Sequence, residues 1–212
     1  MSAYKVEKNK NPVYNSSMIF TIGYAGTNIE RFIQILRENS ISLLIDVRSL
    51  PKSKYFNDFN DNFLKCSLAK FGIRYENWKI EFGARQDNLE FYTDSILDYE
   101  KFAQSEEFQS GILKLKDLYK QGSNICLMCA EIDPINCHRA ILCAKEIYLN
   151  DMKVIHIIAK RNGETYFESQ EDFEKRLLKE TKTSNLLDAY RKQNKKIGYE
   201  IVGEKNKLLP RT

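Results

Sequence analysis

"LMCAEIDPINCHR", residues 127–139, joins an apolar run to a helix-like pattern, and this junction decides the fold. The run "NICLM" (124–128) that leads into it is short and apolar, which is typical of a buried strand. Asp133-Pro134 then predicts a helix start, because Asp caps a first turn and Pro is tolerated in it. We expect this helix to continue to about Leu149. A strand that leads directly into a helix is the repeating unit of an α/β sheet.

The same alternation recurs along the chain. Three more apolar runs predict buried strands, "MIFTIG" (18–23), "SLLIDV" (42–47) and "KVIHII" (153–158). A weaker strand is predicted at 73–77, and Asn162-Gly163 predicts a tight turn that returns residues 164–167 antiparallel. Helices are predicted at 61–71, 91–104, 106–120, 170–180 and 184–193, loops at 48–60 and 79–88, and a capping box at Thr27 and Glu30.

These elements favour a single-domain α/β fold. We expect a mostly parallel sheet of about four to six strands with helices on both faces, a Rossmann-like three-layer arrangement. The chain of 212 residues is long enough for one substantial core. The expected organisation is a disordered or loosely packed segment at 1–17, the α/β domain at 18–181, and a helical, basic C-terminal extension at 182–212.

Composition points to a globular protein of a reducing compartment. The chain is 42% hydrophobic and 29% charged. No apolar run approaches the ~20 residues that span a bilayer, and the polar N-terminus lacks a signal-peptide core, so we expect a cytoplasmic protein without a membrane partner. The five cysteines (66, 126, 129, 137 and 143) are then expected to be thiols.

Positive charge is concentrated at the C-terminus. Residues 182–212 contain eight Lys/Arg and three acidic residues, so this segment has a net charge of +5. Because the whole chain has a net charge of +4, residues 1–181 sum to about −1. Such a tail is either a solvated extension or a surface that helps to hold a polyanion such as nucleic acid.

Unusual polar residues follow the predicted strands. In parallel sheets ligands bind beyond the carboxyl ends of the strands, so residues that follow three separate strands are expected to meet there. They are Gly23, Tyr24 and Gly26 after the first strand, Asp46 and Arg48 at the second, and Cys129 and Glu131 after the strand of the opening stretch.

Several of these residues have two interpretations. The glycines either form a tight turn or let backbone N–H groups approach an anion. Asp46 and Arg48 form either a structural ion pair or a site in which Arg48 grips a substrate anion. The loop "PKSK" (51–54) offers Ser53 and Lys54 to a phosphate.

The opening stretch admits four interpretations. Cys129, Cys137 and His138 are possible zinc ligands, but no second Cys/His pair completes a closed site, and neighbours in a helix point apart; no metal or cofactor is expected. Cys137, placed in a first helical turn beside His138, or Cys129 at the strand end, suits thiol catalysis.

The other two interpretations concern Glu131. It suits acid/base catalysis with Asp46 as the second carboxylate and Arg139 as an anchor for a substrate anion or for Glu131 itself. The alternative is purely structural, with Cys129 and Cys137 as small buried hydrophobes and Glu131–Arg139 as an ion pair.

Four motifs together resemble the Domain of Unknown Function 488 family. They are "FTIGYAG", "LLIDVRSLPKSK", "FGIRY" and "LMCAEIDPINCHRAIL", and the resemblance covers roughly residues 18–158. It implies a compact α/β domain but no activity. The motif positions that it carries over are Gly23, Asp46, Arg48, Pro51, Ser53, Cys129, Glu131, Cys137, His138 and Arg139. Families of this type usually have His or Tyr followed by Ser after the first glycine, whereas this chain has Tyr24-Ala25.

The leading functional hypothesis is an enzyme that acts on an anionic substrate, a nucleotide or a nucleic-acid component. Hydrolysis or transfer at a glycosidic bond would use Glu131 and Asp46, with Arg48, Arg139 and the loop 51–54 as anchors for phosphate. The alternatives are a sulfur-transfer or redox enzyme that uses Cys129 or Cys137, and a non-catalytic nucleic-acid-binding module that uses the tail.

Overall fold

A six-stranded sheet forms the centre of the protein. The computed structural model describes residues 17–202 and 207–209, so the expectation for the first sixteen residues lies outside the described residues. The strands are β1 (Ile19–Gly23), β2 (Leu43–Asp46), β3 (Arg74–Asn77), β4 (Tyr92–Thr93), β5 (Ile96–Leu97), β6 (Ile125–Cys129), β7 (Val154–Ala159), β8 (Thr165–Ser169), β9 (Glu200–Val202) and β10 (Lys207–Leu209).

The strand order is β3-β2-β6-β1-β7-β8, and a separate small sheet has the order β10-β9-β5-β4. Five neighbouring strands of the main sheet are parallel, and only β8 runs antiparallel, against β7. The predicted turn at Asn162-Gly163 is confirmed, and Gly163 adopts φ +86°, a conformation that glycine reaches without strain. The mostly parallel sheet predicted from the apolar runs is also confirmed.

Eight α-helices surround the two sheets. They are α1 (Ile29–Glu38), α2 (Asp61–Ala69), α3 (Lys79–Phe82), α4 (Tyr99–Ala103), α5 (Glu106–Lys120), α6 (Lys145–Leu149), α7 (Gln170–Thr181) and α8 (Leu186–Ile197), as far as the described residues show. A π-helix, Arg139–Ala144, leads into α6. Within residues 17–202, no helix has both the length and the apolar character that crossing a bilayer requires.

Each face of the main sheet has its own core. Alternate residues of a strand point to opposite faces, so Leu43 and Leu127 join one apolar cluster while Leu44 and Cys126 join the other. The first cluster is covered by helices α3 to α8, and the second by α1 and α2. Because both faces are buried, the strands appear in the sequence as continuous apolar runs.

The connections open a crevice beside β6. The helix that follows β1 and the helix that follows β2 cover one face, whereas the π-helix and α6 that follow β6 cover the other. Neighbouring parallel strands whose connections leave toward opposite faces part at their carboxyl ends, and ligands bind at such points. The ends of β1, β2 and β6 therefore surround one opening.

Three predicted elements differ from the structure. The segment 79–88, predicted as a loop, begins with the short helix α3 (Lys79–Phe82). The cap of α1 is Asn28, whose side chain accepts a hydrogen bond from the Arg31 N–H (2.9 Å); Thr27 lies outside the helix with its hydroxyl turned to the Asn28 carbonyl. The helix predicted at 91–104 is only α4, because Asp94 and Ser95 both adopt positive φ and fold residues 92–97 into a hairpin. Local apolar periodicity does not reveal such a turn.

The opening stretch also departs from a simple helix. Asp133 caps the turn as predicted, accepting a hydrogen bond from the Ile135 N–H (3.1 Å), but that turn is a 3-10 turn that ends at Asn136. Cys137 is extended, with φ −138° and ψ 137°, and the helical segment begins only after it. The prediction that Cys137 lies in the first helical turn is therefore wrong, and its side chain does not follow helical geometry.

Gly23 is required by a backbone contact. A Cβ atom added there would overlap the carbonyl oxygen of Glu131, so β1 and the loop after β6 approach closely only because the residue has no side chain. Gly26 meets the Ala159 carbonyl in the same way.

We expect Gly23→Ala to destabilise the protein by about 3 kcal/mol or more, because two backbones must separate. Chemical denaturation of the purified variant measures this. Gly122→Ala is the matched control: it has φ +85° but open space around it, and it should cost only about 1 kcal/mol. Equal costs for the two variants would contradict the close contact at Gly23.

Candidate active site

A cavity of about 220 Å³ lies at the carboxyl ends of β1, β2 and β6. It is lined by Tyr24, Arg48, Ser49, Leu50, Lys52, Ser53, Ala84, Arg85, Cys129, Ala130, Glu131, His138 and Tyr199. The structure therefore brings six predicted site residues to one wall or another of this cavity: Tyr24, Arg48, Ser53, Cys129, Glu131 and His138. Gly23, Asp46, Cys137 and Arg139 are buried around it, and Lys54 is exposed outside it.

A histidine and two cysteines form one wall. The Nε2 atom of His138 lies 3.0 Å from the Val47 carbonyl oxygen, which can only accept, so we assign the ring proton to Nε2. Nδ1 is then an acceptor, 3.8 Å from Cys129 Sγ and 4.0 Å from Cys137 Sγ. All three side chains are buried. A base held in one tautomer by a third group, next to a thiol, is the arrangement of an activated nucleophile.

The pKa values of the Cys129 and Cys137 thiols are shifted in opposite directions. Burial by itself would raise the pKa of Cys137, but a hydrogen bond from Cys129 and the positive charge of Arg139 lower it well below the ordinary thiol value. The hydrogen bond to Cys137 raises the pKa of Cys129, and burial adds to that effect. These opposite shifts favour a negative charge on Cys137 over one on Cys129.

Arg139 holds the loop between Cys129 and Cys137 in place. Its guanidinium is fully buried and donates to the carbonyl oxygens of Glu131 (2.7 Å) and Ile132 (3.1 Å). Within the described residues it forms no ion pair with a carboxylate. The contact between Glu131 and Arg139 thus runs through the main chain.

Glu131 is a buried carboxyl group at the cavity. Its Oε2 atom has no hydrogen-bond partner among the described residues. Burial first, and then the neighbouring Cys137, raise its pKa to about 7. At neutral pH this group is therefore able to give a proton, unlike an ordinary glutamate.

Asp46 and Arg48 form a closed ion pair on the other side of the sheet. The fully buried Asp46 carboxylate accepts from Arg48 Nε (2.8 Å) and Nη2 (2.6 Å), from the Arg48 N–H (3.0 Å) and from the Tyr75 hydroxyl (2.7 Å). Arg48 also donates to the Phe59 carbonyl (2.8 Å) and to the Tyr24 hydroxyl (3.3 Å). This network orients Arg48 and Tyr24 toward the cavity. Both carboxylate oxygens of Asp46 are engaged in hydrogen bonds within it.

The loop at 51–54 is held by its own hydrogen bonds. Ser53 Oγ accepts from the N–H groups of Tyr55 (3.2 Å) and Phe56 (3.1 Å), and the Ser53 N–H donates to Asn60 Oδ1 (2.6 Å). Ser53 therefore lines the cavity with a hydroxyl already engaged in a turn.

Three polar cavity residues were not singled out from the sequence, Ser49, Arg85 and Tyr199, and Lys52 is predicted only as part of the phosphate-binding loop 51–54. Arg85 lies in a segment without periodicity, and Tyr199 comes from the C-terminal region. The only local signal was "PKSK", which contains Lys52.

One group of side chains could hold a metal ion, as far as residues 17–201 reveal. The Cys129, Cys137 and His138 donor atoms all lie within 4.8 Å of one another. Cys137 is not helical, and its sulfur lies close to the His138 ring, so the geometric objection based on helical neighbours does not apply.

Comparison with known proteins assigns a family but no activity. The model of the family described as "Domain of unknown function DUF488" matches residues 28–145, more than half of the chain. The matched range includes Asp46, Arg48 and the whole stretch 127–139, whereas β1 precedes it. No curated protein and no solved structure matches the chain. The resemblance inferred from the motifs is confirmed, over a narrower range.

The raised pKa of Glu131 predicts a pH-dependent stability. A carboxyl group whose pKa is raised in the folded state contributes fully below its unfolded value of about 4.3, and this contribution is lost as the pH rises through about 7. We therefore expect Glu131→Gln to stabilise the protein at pH 8 by up to about 3 kcal/mol, and to have little effect at pH 4.5.

Urea denaturation at the two pH values measures this difference. The exposed Glu107→Gln, on α5, is the matched control and should show no such pH dependence. A variant at Glu131 that is equally stable relative to the wild type at both pH values would show that the carboxyl group titrates normally.

Proposed function

The chain belongs to the DUF488 family, and on that premise we propose that it is a thiol-dependent enzyme that acts on a small anionic substrate in the cavity beside β6. The family description assigns no activity. The proposal therefore rests on the residues that line the cavity and on their distances.

The observation that carries the proposal is the placement of His138. Its Nε2–H is engaged by the Val47 carbonyl, so Nδ1 faces the sulfur atoms of Cys129 and Cys137 as a proton acceptor. Cys129 lines the cavity, while Cys137 lies behind it. Cys129 is accordingly the proposed nucleophile, and Nδ1 of His138, 3.8 Å from its sulfur, is the group that takes its proton.

The proposed reaction is a transfer through the sulfur of Cys129. The Cys129 proton moves to Nδ1 of His138, and the resulting thiolate attacks an electrophilic atom of the substrate. The new bond to sulfur forms as the bond to the leaving group breaks, and Glu131 gives its proton to the leaving group. An acceptor molecule then releases the group from sulfur, and Glu131 takes the acceptor's proton. Sulfur transfer is one reaction of this type.

The charges around the cavity support an anionic substrate. Arg48, Lys52 and Arg85 line it, and below about pH 7 Glu131 adds no negative charge. A volume of about 220 Å³ suits a small anion, or the reactive end of a larger substrate such as a nucleotide. In this proposal Asp46 is a positioning residue, because its oxygens hold Arg48 and Tyr75.

Hydrolysis at a glycosidic bond is the second candidate. The buried Glu131 carboxyl, with a pKa of about 7 and an Oε2 without a partner among the described residues, suits a general acid. Such an enzyme needs a second carboxylate at the bond, and Asp46 is the candidate from the sequence. The Asp46 oxygens are engaged by Arg48 and Tyr75, which ranks this mechanism second.

Alkylation by iodoacetamide, mapped by mass spectrometry, tests the thiol proposal. An ordinary thiol with a pKa near 8.5 reacts roughly 100-fold more slowly at pH 6 than at pH 8. We expect Cys129 to lose less than about fivefold over this range, because the neighbouring His138 takes its proton directly when the thiol reacts. Cys66, exposed on α2, provides the reference rate in the same sample.

His138→Gln should slow the labelling of Cys129 at pH 6 about tenfold or more, since the proton acceptor is lost. Cys126→Ser, at a buried cysteine outside the cavity, is the control for general effects of losing a thiol. Slow and uniform labelling of all cysteines in the wild type would refute the proposal. So would one equivalent of tightly bound zinc released only on denaturation, because the same three side chains would then be metal ligands.

A further inference from the structure

We propose that Arg85, whose guanidinium lies over the ring of Tyr199, is the residue that binds the oxyanion of the substrate, so that Tyr199, directly before β9, completes the site from outside the family-matched region. This inference rests on the proposed function, because it assigns the substrate an acidic group next to its electrophilic atom. The class of group is a carboxylate, phosphate or sulfur oxyanion.

Unlike Arg48, Arg85 is a cavity cation that has no ion-pair partner among the described residues. The charge of Arg48 is balanced by Asp46 at 2.6 Å. Among the residues that the structure describes, Arg85 has no carboxylate within 4.0 Å, and its guanidinium makes no hydrogen bond. Its side-chain contact is the face of Tyr199, with the guanidinium carbon 4.5 Å from the ring centroid.

Stacking leaves the hydrogen-bonding edge of Arg85 available. A guanidinium that lies over an aromatic ring uses its face, and its N–H groups remain in the plane for a planar or tetrahedral oxyanion. Arg85, Tyr199, Cys129 and Glu131 all line the same cavity. An oxyanion on Arg85 would therefore hold the adjoining part of the substrate near the thiol and the proton donor.

The backbone of Arg85 is held from two sides. Its N–H donates to Ser49 Oγ (2.9 Å), directly after Arg48. The next residue, Gln86, donates its N–H to the Tyr92 hydroxyl (3.2 Å) and accepts from it at its carbonyl (2.8 Å). Arg85 is thus fixed between the end of β2 and the hairpin of β4 and β5.

Tyr199 is held by the same hairpin. The Leu97 N–H donates to the Tyr199 carbonyl (3.0 Å), and the Ile201 N–H donates to the Ser95 carbonyl (2.8 Å). Gly198 packs so closely on Ile96 that a Cβ atom would have to displace the isoleucine side chain. The hairpin therefore sets the distance between Arg85 and Tyr199.

The experiment compares two alkylating reagents of similar size at Cys129. Iodoacetate is an anion and iodoacetamide is neutral, so the ratio of their rates reports the anion site. We expect Arg85→Gln to lower this ratio about tenfold and Tyr199→Ala to lower it in part. Tyr199→Phe should keep the wild-type ratio, because the ring remains.

Arg37→Gln is the matched control. Arg37 lies 5.0 Å from the ring centroid of Phe71 on the surface, so its loss removes the same charge from a cation–π pair away from the cavity. The ratio should then equal that of the wild type. An unchanged ratio in Arg85→Gln, with fast labelling by iodoacetamide, would overturn the inference and leave the proposed function intact.

Binding of inorganic phosphate tests the site independently of thiol reactivity. We expect the Tm of the wild type and of Arg37→Gln to rise as the phosphate concentration is increased, and phosphate to have a much weaker effect on Arg85→Gln. Equal stabilisation of all three proteins would overturn the inference. Slow labelling of Cys129 together with loss of the phosphate effect in Arg85→Gln would support the anion site while refuting the thiol chemistry.

Discussion

The buried guanidinium of Arg139 is the constraint on which the site depends. A charge without access to water is costly unless hydrogen bonds and a counter-charge compensate it. Arg139 obtains the hydrogen bonds from the carbonyls of Glu131 and Ile132, and thereby shapes the loop after β6. No carboxylate pairs with it among the described residues, and its positive charge lowers the pKa of the Cys137 thiol. Arg139 therefore both shapes the loop after β6 and lowers the pKa of the thiol that follows it.

The same loop explains why the end of β1 is glycine. The carbonyl that Arg139 holds, that of Glu131, lies where a side chain at residue 23 would be. This close approach brings the Tyr24 side of the crevice to the thiol side. Gly23, for which the sequence allowed either a tight turn or an anion-binding turn, is thus required by close packing of two backbones.

Two polar systems meet at the crevice from opposite faces of the sheet. Asp46, Arg48 and Tyr75 belong to the side of α1 and α2, and their charges balance within the group. Cys129, Cys137, His138 and Arg139 belong to the other side. Their charges are not balanced by a carboxylate ion pair among the described residues. The family-matched range supplies most of both systems, but Tyr24 and Tyr199 come from beyond its two ends.

The sequence by itself determined the sheet, since a strand buried on both faces must be an apolar run, and it determined which strand ends meet, because parallel strands share one edge. It therefore placed Cys129, Glu131 and Arg48 together. Tertiary structure decided the rest. The extended backbone at Cys137 makes it a partner of His138, although a helical pattern follows, and the stacking of Arg85 on Tyr199 joins segments far apart in the chain. Periodicity records which side chains are buried; it carries no information about which buried or distant polar groups become partners, because that depends on how the packed elements bring them into contact.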